Sequence, residues 1–354
     1  MGDTNKHTKY DLRQMQSLPL DAKIVMTQDR IRKWYEYWDG QVYVSFSGGK
    51  DSTVLKHIVD GMYNDVPAVF VNTGLEYPEI QQFVREVKDG KYDCFSPDVE
   101  IIRPEMRFDE VIKTYGYPVG SKRIALNIEY GRKARDRGDI GKFDEYIHGK
   151  RVGSKDGKQY TFMPVPNQLM PLVDSNFKVS NKCCDVMKKN PMKQYQKDTN
   201  RKPIMATMAC ESKQREYGWI KTGCNAFYSM DPKSKPMSFW TEQDVLHYIK
   251  EYNVPYCPVY GEIRVKQSPD ETANGQINMI DYLGAYDEQD ALETTGCNRT
   301  GCMFCMFGCH LEKAPNRFQR MKITHPKQYA YCMKPVEEGG LGLDAVLSYL
   351  KIPH

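Results

Sequence analysis

Residues 41–63 constrain this chain more than any other stretch. QVYVSFS is a β-branched and aromatic run, followed by Gly48–Gly49 and then by a helical pattern from Ser52 to Tyr63. The run is too short for a helix and ends in a glycine turn, which marks a buried strand. Val54, Leu55, Ile58 and Val59 share the inner side of the helix that follows. A strand passing through a glycine turn into a helix is the opening of a strand–helix–strand unit.

The alternation continues along the chain. LDAKIVMTQDRIRKWYEYW, residues 20–38, carries Ile24, Ile31 and Trp34/Trp38 at close to helical spacing, with Asp21 as expected N-cap and Gly40 as stop. Ala68–Asn72 reads as a second strand, and Pro78–Lys88 as a helix with proline in its first turn. Val99–Ile102 and Lys202–Met208 read as further strands. Thr241–Tyr252 reads as a helix begun by Thr241, with Asp244 in its first turn. This pattern predicts an α/β fold, a Rossmann-like (HUP-type) parallel sheet with helices on both faces. In such sheets ligands gather beyond the carboxyl ends of the strands, where the glycine turn falls. After residue 260 the pattern becomes irregular and cysteine-rich, ending in a short helix near Leu343–Leu350. The expected organisation is an N-terminal helical segment (1–40), an α/β domain (41–260) with a basic insert near 122–180, and a Cys-rich C-terminal region (261–354).

Composition excludes several classes. No run approaches the roughly 18 apolar residues of a membrane span, so no membrane partner is expected. MGDTNKHTKYDLRQ lacks the apolar core of a signal peptide, which with the cysteine usage predicts a cytoplasmic protein. The 50 basic against 46 acidic residues leave a net charge of +4, too small to imply nucleic-acid binding by itself. The charge is concentrated, however. Residues 122–158 hold 11 basic against six acidic side chains, with a hairpin turn expected at Asp156–Gly157, and residues 178–202 hold eight against two. Such stretches are either solvated surface or a mobile, anion-attracting insert. Eleven cysteines, an odd number, argue against a complete disulfide framework and for metal or redox chemistry.

The turn itself, Ser47-Gly48-Gly49-Lys50-Asp51-Ser52, has the ingredients of a phosphate loop. Two glycines allow a tight turn that brings backbone N–H groups near a phosphate. The helix N-terminus adds unpaired donors and partial positive charge. Lys50 can neutralise phosphate charge, Ser47 and Ser52 can donate hydrogen bonds, and Asp51 can hold Mg²⁺ or shape the turn. A Walker A loop is disfavoured, because its first glycine would fall at Val44.

With these residues in view, the chain resembles the PP-loop adenine nucleotide α-hydrolases, whose SGGxDS loop grips pyrophosphate and whose members cleave ATP between the α and β phosphates. More closely it resembles the phosphoadenosine phosphosulfate reductase family. Asn72-Thr73-Gly74-Leu75-Glu76-Tyr77-Pro78-Glu79 is similar to that family's DTGxxFPE stretch, and Thr207–Arg215 (TMACESKQR) to its GxRxxESxxR segment. Ser238–Val245 (SFWTEQDV) matches its WTxxDV helix start. The resemblance covers roughly residues 40–310. It implies that Thr73 and Gly74 face the adenine or ribose, and that Glu211, Ser212 and Arg215 face the phosphates, with Lys50, Asp51 and Arg215 catalytic. Met208 stands where the family's segment has its first arginine, so one phosphate contact is missing. A surface i, i+4 pair between Glu211 and Arg215 is the plainer alternative.

Cys297, Cys302, Cys305 and Cys309 are spaced C-x4-C-x2-C-x3-C. A C-x2-C turn brings two thiolates to one metal or cluster. Cys183–Cys184 resembles the paired cysteines of iron–sulfur adenylylsulfate reductases, whose CC and CxxC halves jointly hold a [4Fe–4S] cluster, although 117 residues here separate Cys184 from Cys302. Two ligand sets therefore compete: Cys183, Cys184, Cys302 and Cys305, which is preferred, and the local quartet with Cys297 and Cys309, which is similar to that of DNA phosphorothioation ATP pyrophosphatases. Zinc is the alternative metal for the quartet. Cys94, Cys210, Cys224 and Cys257 read as packing residues. The nucleophilic ECGxH segment of sulfonucleotide reductases is missing; Cys332 and Cys309-His310 are weak substitutes.

Three functions follow. The first is an enzyme binding ATP with Mg²⁺, releasing pyrophosphate and supporting iron–sulfur-dependent sulfur transfer, with a nucleic acid as possible acceptor and a protein as possible sulfur donor. The second is a sulfonucleotide reductase acting on adenylylsulfate or its 3′-phosphate form. The third is a nucleic-acid-binding module with a structural metal, motivated by the basic stretches and by Asn316-Arg317-Phe318-Gln319-Arg320.

Overall fold

A computed structural model describes residues 6–149, 163–266 and 290–354 of the chain; the hairpin turn expected at Asp156–Gly157 lies outside them. Helices α1 (Lys9–Gln16) and α2 (Leu20–Tyr37) precede β1 (Val42–Ser45), and α3 (Lys50–Asp60), β2 (Ala68–Val71), α4 (Pro78–Lys88) and β3 (Val99–Ile102) follow in strict alternation. Then come α5 (Phe108–Tyr115), α6 (Lys122–Asp136), α7 (Ile140–His148), α8 (Pro171–Asp174), α9 (Asn190–Thr199), β4 (Lys202–Ile204), α10 (Lys213–Thr222) and α11 (Glu242–Glu251). A two-stranded antiparallel pair, β5 (Ile263–Val265) with β6 (Leu292–Thr294), precedes α12 (Arg317–Thr324), α13 (Pro326–Met333) and α14 (Leu343–Tyr349).

The described residues fall into two compact units. One draws on Met1–Asn72, Glu76–Ile102 and Lys193–Thr300, the other on Thr73–Leu75, Arg103–Met192 and Gly301–His354. The first unit contains the parallel sheet, in the order β3-β2-β1-β4. Strand order grows outward from β1 through β2 to β3, then returns to place β4 on the other flank of β1. The turn after β1 therefore lies at the reversal point, where open α/β sheets bind their ligands. Val42, Val44, Val54, Leu55, Val59, Ala68 and Phe70 are buried in this unit's core, consistent with strands covered by helices.

The differences from the expected boundaries have local causes. Helix α2 starts one residue before Asp21, after Pro19, and Asp21 sits in its first turn, where its charge favours the helix dipole. Its end is capped at Trp38; Gly40 adopts φ 71° just beyond. Strand β4 ends at Ile204 rather than Met208, because the chain leaves the sheet to bond the 234–238 segment: Met205 N donates to the Ser234 carbonyl (2.9 Å) and Ala209 N to that of Ser238 (2.8 Å). The β5–β6 pair lies in the region expected to be irregular.

Helix α11 is anchored by a fully buried ion pair. Lys23 Nζ on α2 lies 2.7 Å from Asp244 Oδ2, and both side chains are 0% exposed. Asp244 also accepts from the Thr241 backbone and hydroxyl, closing a capping box. The first turn of α11 is thus held in one position against α2.

In the second unit, the described part of the 122–158 basic stretch folds into the packed helices α6 and α7. Arg132 is structural: its guanidinium donates to the carbonyls of Leu172, Val173, Ser175 and Phe177.

Candidate nucleotide and cysteine sites

Gly48 adopts φ +70°, and a Cβ there would come within 2.9 Å of the methyl groups of Ile80 and Val84. Only glycine suits both the backbone angle and the close approach to α4. Gly49 is the N-cap of α3, with no side chain to satisfy the helix's first N–H groups. The loop is braced internally: Ser47 Oγ and Ser52 Oγ are 2.9 Å apart, Ser52 Oγ accepts from Ser47 N (3.1 Å) and donates to the Gly49 carbonyl (2.9 Å).

Lys50 is 3% exposed. Its Nζ donates to the Asn298 carbonyl (2.8 Å) and pairs with Glu242 Oε1 (3.0 Å) and, more distantly, Asp51 Oδ1 (3.8 Å). Its backbone N–H donates to the Tyr260 hydroxyl, which is 2.7 Å from Thr300 Oγ1. Asp51 Oδ1 is buried with no hydrogen-bond partner. Burial pushes the Asp51 carboxyl above its usual range and Glu242 adds to this, against the opposing pull of Lys50, Arg299 and Arg215.

Ser212 caps α10 by accepting from Arg215 N (3.3 Å). Glu211 accepts from Met208 N (3.1 Å), pairs directly with Arg215, and has Arg299 Nη1 3.6 Å from its other oxygen. The i, i+4 pair is therefore present, and it belongs to a larger group. Lys50, Arg215 and Arg299 meet Asp51, Glu211 and Glu242 at the carboxyl end of β1, three basic against three acidic side chains. Sequence reasoning missed Glu242, Tyr260, Asn298, Arg299 and Thr300. Glu242 lay inside the WTEQDV segment and Arg299 just before Cys302, but neither position carries a periodic signal.

Thr73 and Gly74 follow β2 and belong to the second unit. Gly74 adopts φ +74° with open space where a Cβ would stand, and Leu75 N donates to Thr73 Oγ1 (3.2 Å).

All eleven cysteines are free thiols. Cys183 is buried, and its sulfur donates to Cys184 across 4.0 Å. That contact makes Cys184 the readily ionised member of the pair, with Lys122 and Lys188 also favouring its thiolate. The electrostatic field of Cys183 includes Cys305 and Cys302, whose turn is closed by Cys305 N donating to the Cys302 carbonyl (3.1 Å). Cys183, Cys184, Cys302 and Cys305 all belong to the second unit, while Cys297 belongs to the first. Cys309 is buried, its thiol pushed up to about 12 by desolvation. Among the described residues, no group of three or more His, Cys, Asp or Glu is set to hold a metal ion. Cys332 is buried too, donates to the Tyr329 carbonyl and is pushed up to about 12 by burial, unlike an attacking thiol. Cys224 and Cys257 are buried as expected, but Cys94 is exposed, because Tyr92 and Phe95 fill the packing positions around it. Cys210 is half-buried beside Asp51, Arg299 and Glu242 and donates to the Trp240 carbonyl (3.5 Å).

A family model of the phosphoadenosine phosphosulfate reductase domain matches residues 41–133 and 165–307. The chain belongs to this family. Family membership supports a nucleotide-binding enzyme of the PP-loop class. Similar curated proteins include two uncharacterized proteins of Methanocaldococcus jannaschii, 38% identical over 66 residues and 36% over 100. The phosphoadenosine 5′-phosphosulfate reductase of Thiocapsa roseopersicina is 29% identical over 94 residues. These matches cover 18%, 28% and 27% of this chain. The chain spans only 16%, 20% and 35% of those relatives' lengths. The crystal structure of phosphoadenylyl-sulfate reductase from Candida auris is similar over 68% of this chain and 92% of that one, at 15% identity and a TM-score of 0.37. Among the described residues, no helix of this family member is long and apolar enough to cross a membrane.

Proposed function

We propose that the chain binds ATP and cleaves it between the α and β phosphates, releasing pyrophosphate and activating an acceptor as its adenylate. The observation that carries this reading is the intact glycine loop with a buried lysine at its head, beside two arginines. An acceptor oxygen attacks Pα, the bond from Pα to the bridging oxygen breaks, and negative charge develops on the leaving pyrophosphate. Lys50, the loop's backbone N–H groups and Arg215 are donors suited to that charge. Asp51, with its unpartnered buried oxygen, and Glu242 are the residues that would hold Mg²⁺; hard carboxylate oxygens suit this ion, which needs few protein ligands when phosphates supply others. When bound, Mg²⁺ neutralises phosphate charge.

A [4Fe–4S] cluster would be held by Cys183, Cys184, Cys302 and Cys305, an all-thiol set within one unit in which Lys122 and Lys188 favour a thiolate at Cys184. Such a cluster supplies electron and sulfur chemistry to a downstream transfer, for which a nucleic acid is the proposed acceptor and a protein the proposed sulfur donor. Sulfonucleotide reduction is the lesser reading, since buried Cys332 and Cys309 are both poor nucleophiles.

The test is anaerobic incubation of the protein with Mg-ATP, with and without added nucleic acid, and chromatography of the nucleotides. AMP and pyrophosphate are expected. Uncleaved ATP in every condition, with sulfite formed from adenylylsulfate plus a thiol, would replace this reading with the reductase one.

A further inference from the structure

Arg215 and Arg299 share one carboxylate on unequal terms. Glu211 is 11% exposed; it pairs directly with Arg215 and is further fixed by the Met208 N–H. Arg299 approaches the other Glu211 oxygen only to 3.6 Å and is 58% exposed. That distance is an ion pair but too long for a hydrogen bond. Among the described residues Arg299 donates no hydrogen bond, so its planar fork of five donors is available to an incoming anion.

The segment carrying Arg299 is not loose. Asn298 accepts from Lys50 Nζ, and Thr300 bonds the Tyr260 hydroxyl that receives the Lys50 backbone N–H. Both neighbours of Arg299 are therefore fastened to the glycine loop, and a Cβ on Gly49 would meet Thr300 Oγ1 at 3.2 Å. The side chain is held only by the long Glu211 contact, while its backbone is fastened beside the phosphate loop.

We propose that Arg299 is a phosphate-binding residue of this site, turning from Glu211 to the β and γ phosphates when a nucleotide enters. It takes up part of the role left open by Met208, which stands where the family's segment has an arginine. Each cation of this group already faces a carboxylate: Lys50 faces Glu242, and Arg215 and Arg299 share Glu211. An arriving polyphosphate competes with Glu211 for Arg299 and with Asn298 and Glu242 for Lys50. Arg299, held by one long contact, is the easiest of these to transfer, and Glu211 keeps Arg215 in place meanwhile.

The proposal rests on the nucleotide-binding reading, and the probes separate the two. Isothermal titration with Mg-ATP, AMP and inorganic pyrophosphate is to be compared between wild type and R299A, with R299K as the conservative variant. Losing a charge-assisted phosphate contact should weaken Mg-ATP and pyrophosphate binding by roughly 10- to 100-fold. AMP binding should stay within about twofold, and R299K should recover part of the loss. Wild-type affinity for Mg-ATP and pyrophosphate in R299A overturns the role of Arg299 while leaving the nucleotide reading intact. A wild-type protein that binds pyrophosphate but not ATP, with the former lost in R299A, supports Arg299 and removes the ATP reading. Binding of neither probe by wild type overturns both. Arg299 is exposed, so R299A should fold; an unchanged circular dichroism spectrum checks this.

Discussion

Lys50 Nζ donates to the backbone carbonyl of Asn298, 248 residues further along the chain, at 2.8 Å. The lysine that the glycine loop offers to a phosphate is thus held by a carbonyl and by Glu242 before any nucleotide arrives. Preorganisation of this kind fixes the lysine's position, and an incoming phosphate has to displace these partners to reach it.

Lys50→Ala should lower ATP cleavage on the order of 10²-fold or more, the cost of removing one donor from developing charge. The fold should survive, because Glu242 is partly exposed and can be rehydrated. Pyrophosphate release assayed beside a thermal melt checks both halves; undiminished release sinks the role given to the loop.

Asp51→Asn should separate stability from function. Burial raises the Asp51 carboxyl above the usual carboxylate range, so the folded state binds this proton more tightly than the unfolded chain. Stability therefore falls as pH rises from the ordinary carboxylate value through the raised folded value. The variant should melt at a higher temperature than wild type at pH 7 and lose Mg-dependent turnover. In wild type, protons should compete with Mg²⁺, so Mg-nucleotide affinity should fall on acidification, and Asp51→Asn should flatten that profile.

Asp244→Ala should cost about 3–5 kcal/mol, because it leaves Lys23 charged and unpaired in a fully buried position. Lys23→Met combined with Asp244→Ala should regain much of the loss. Urea denaturation of the two variants measures this; equal stability would mean that the ion pair, rather than the isolated charge, accounts for the cost. Since Asp244 anchors the first turn of α11, any folded Asp244→Ala protein should also bind Mg-ATP more weakly through misplacement of Glu242.

Cys302→Ser with Cys305→Ser should abolish the absorbance and iron content of anaerobically prepared protein, whereas Cys297→Ser should leave both unchanged. Loss of iron in Cys297→Ser, with retention in a Cys183→Ser variant, would transfer the cluster to the local quartet.

Much of the α/β unit was legible in the chain itself. Pro78–Lys88 and Val99–Ile102 match to the residue, because proline at a helix start and a short β-branched run are local signals. Lys202–Met208 reads as a longer strand than it forms, since Met205–Met208 are apolar whether they pair in the sheet or bury against the 234–238 segment. Cys94 looks like its buried neighbours in composition and is nevertheless exposed.

The sequence by itself determined the strand, the glycine turn after it and the C-x2-C spacing, because each depends on backbone sterics and hydrogen bonds within a few residues; the helix that follows reads from Ser52 but starts two residues earlier, at Lys50. Tertiary structure alone decided that Lys50 meets Asn298 and Glu242, and that Arg299 stands opposite Arg215 across Glu211. Those contacts join residues roughly 90 to 250 positions apart. Their geometry comes from the order in which strands enter the sheet and from how each unit packs, and neither leaves a periodic trace in the chain.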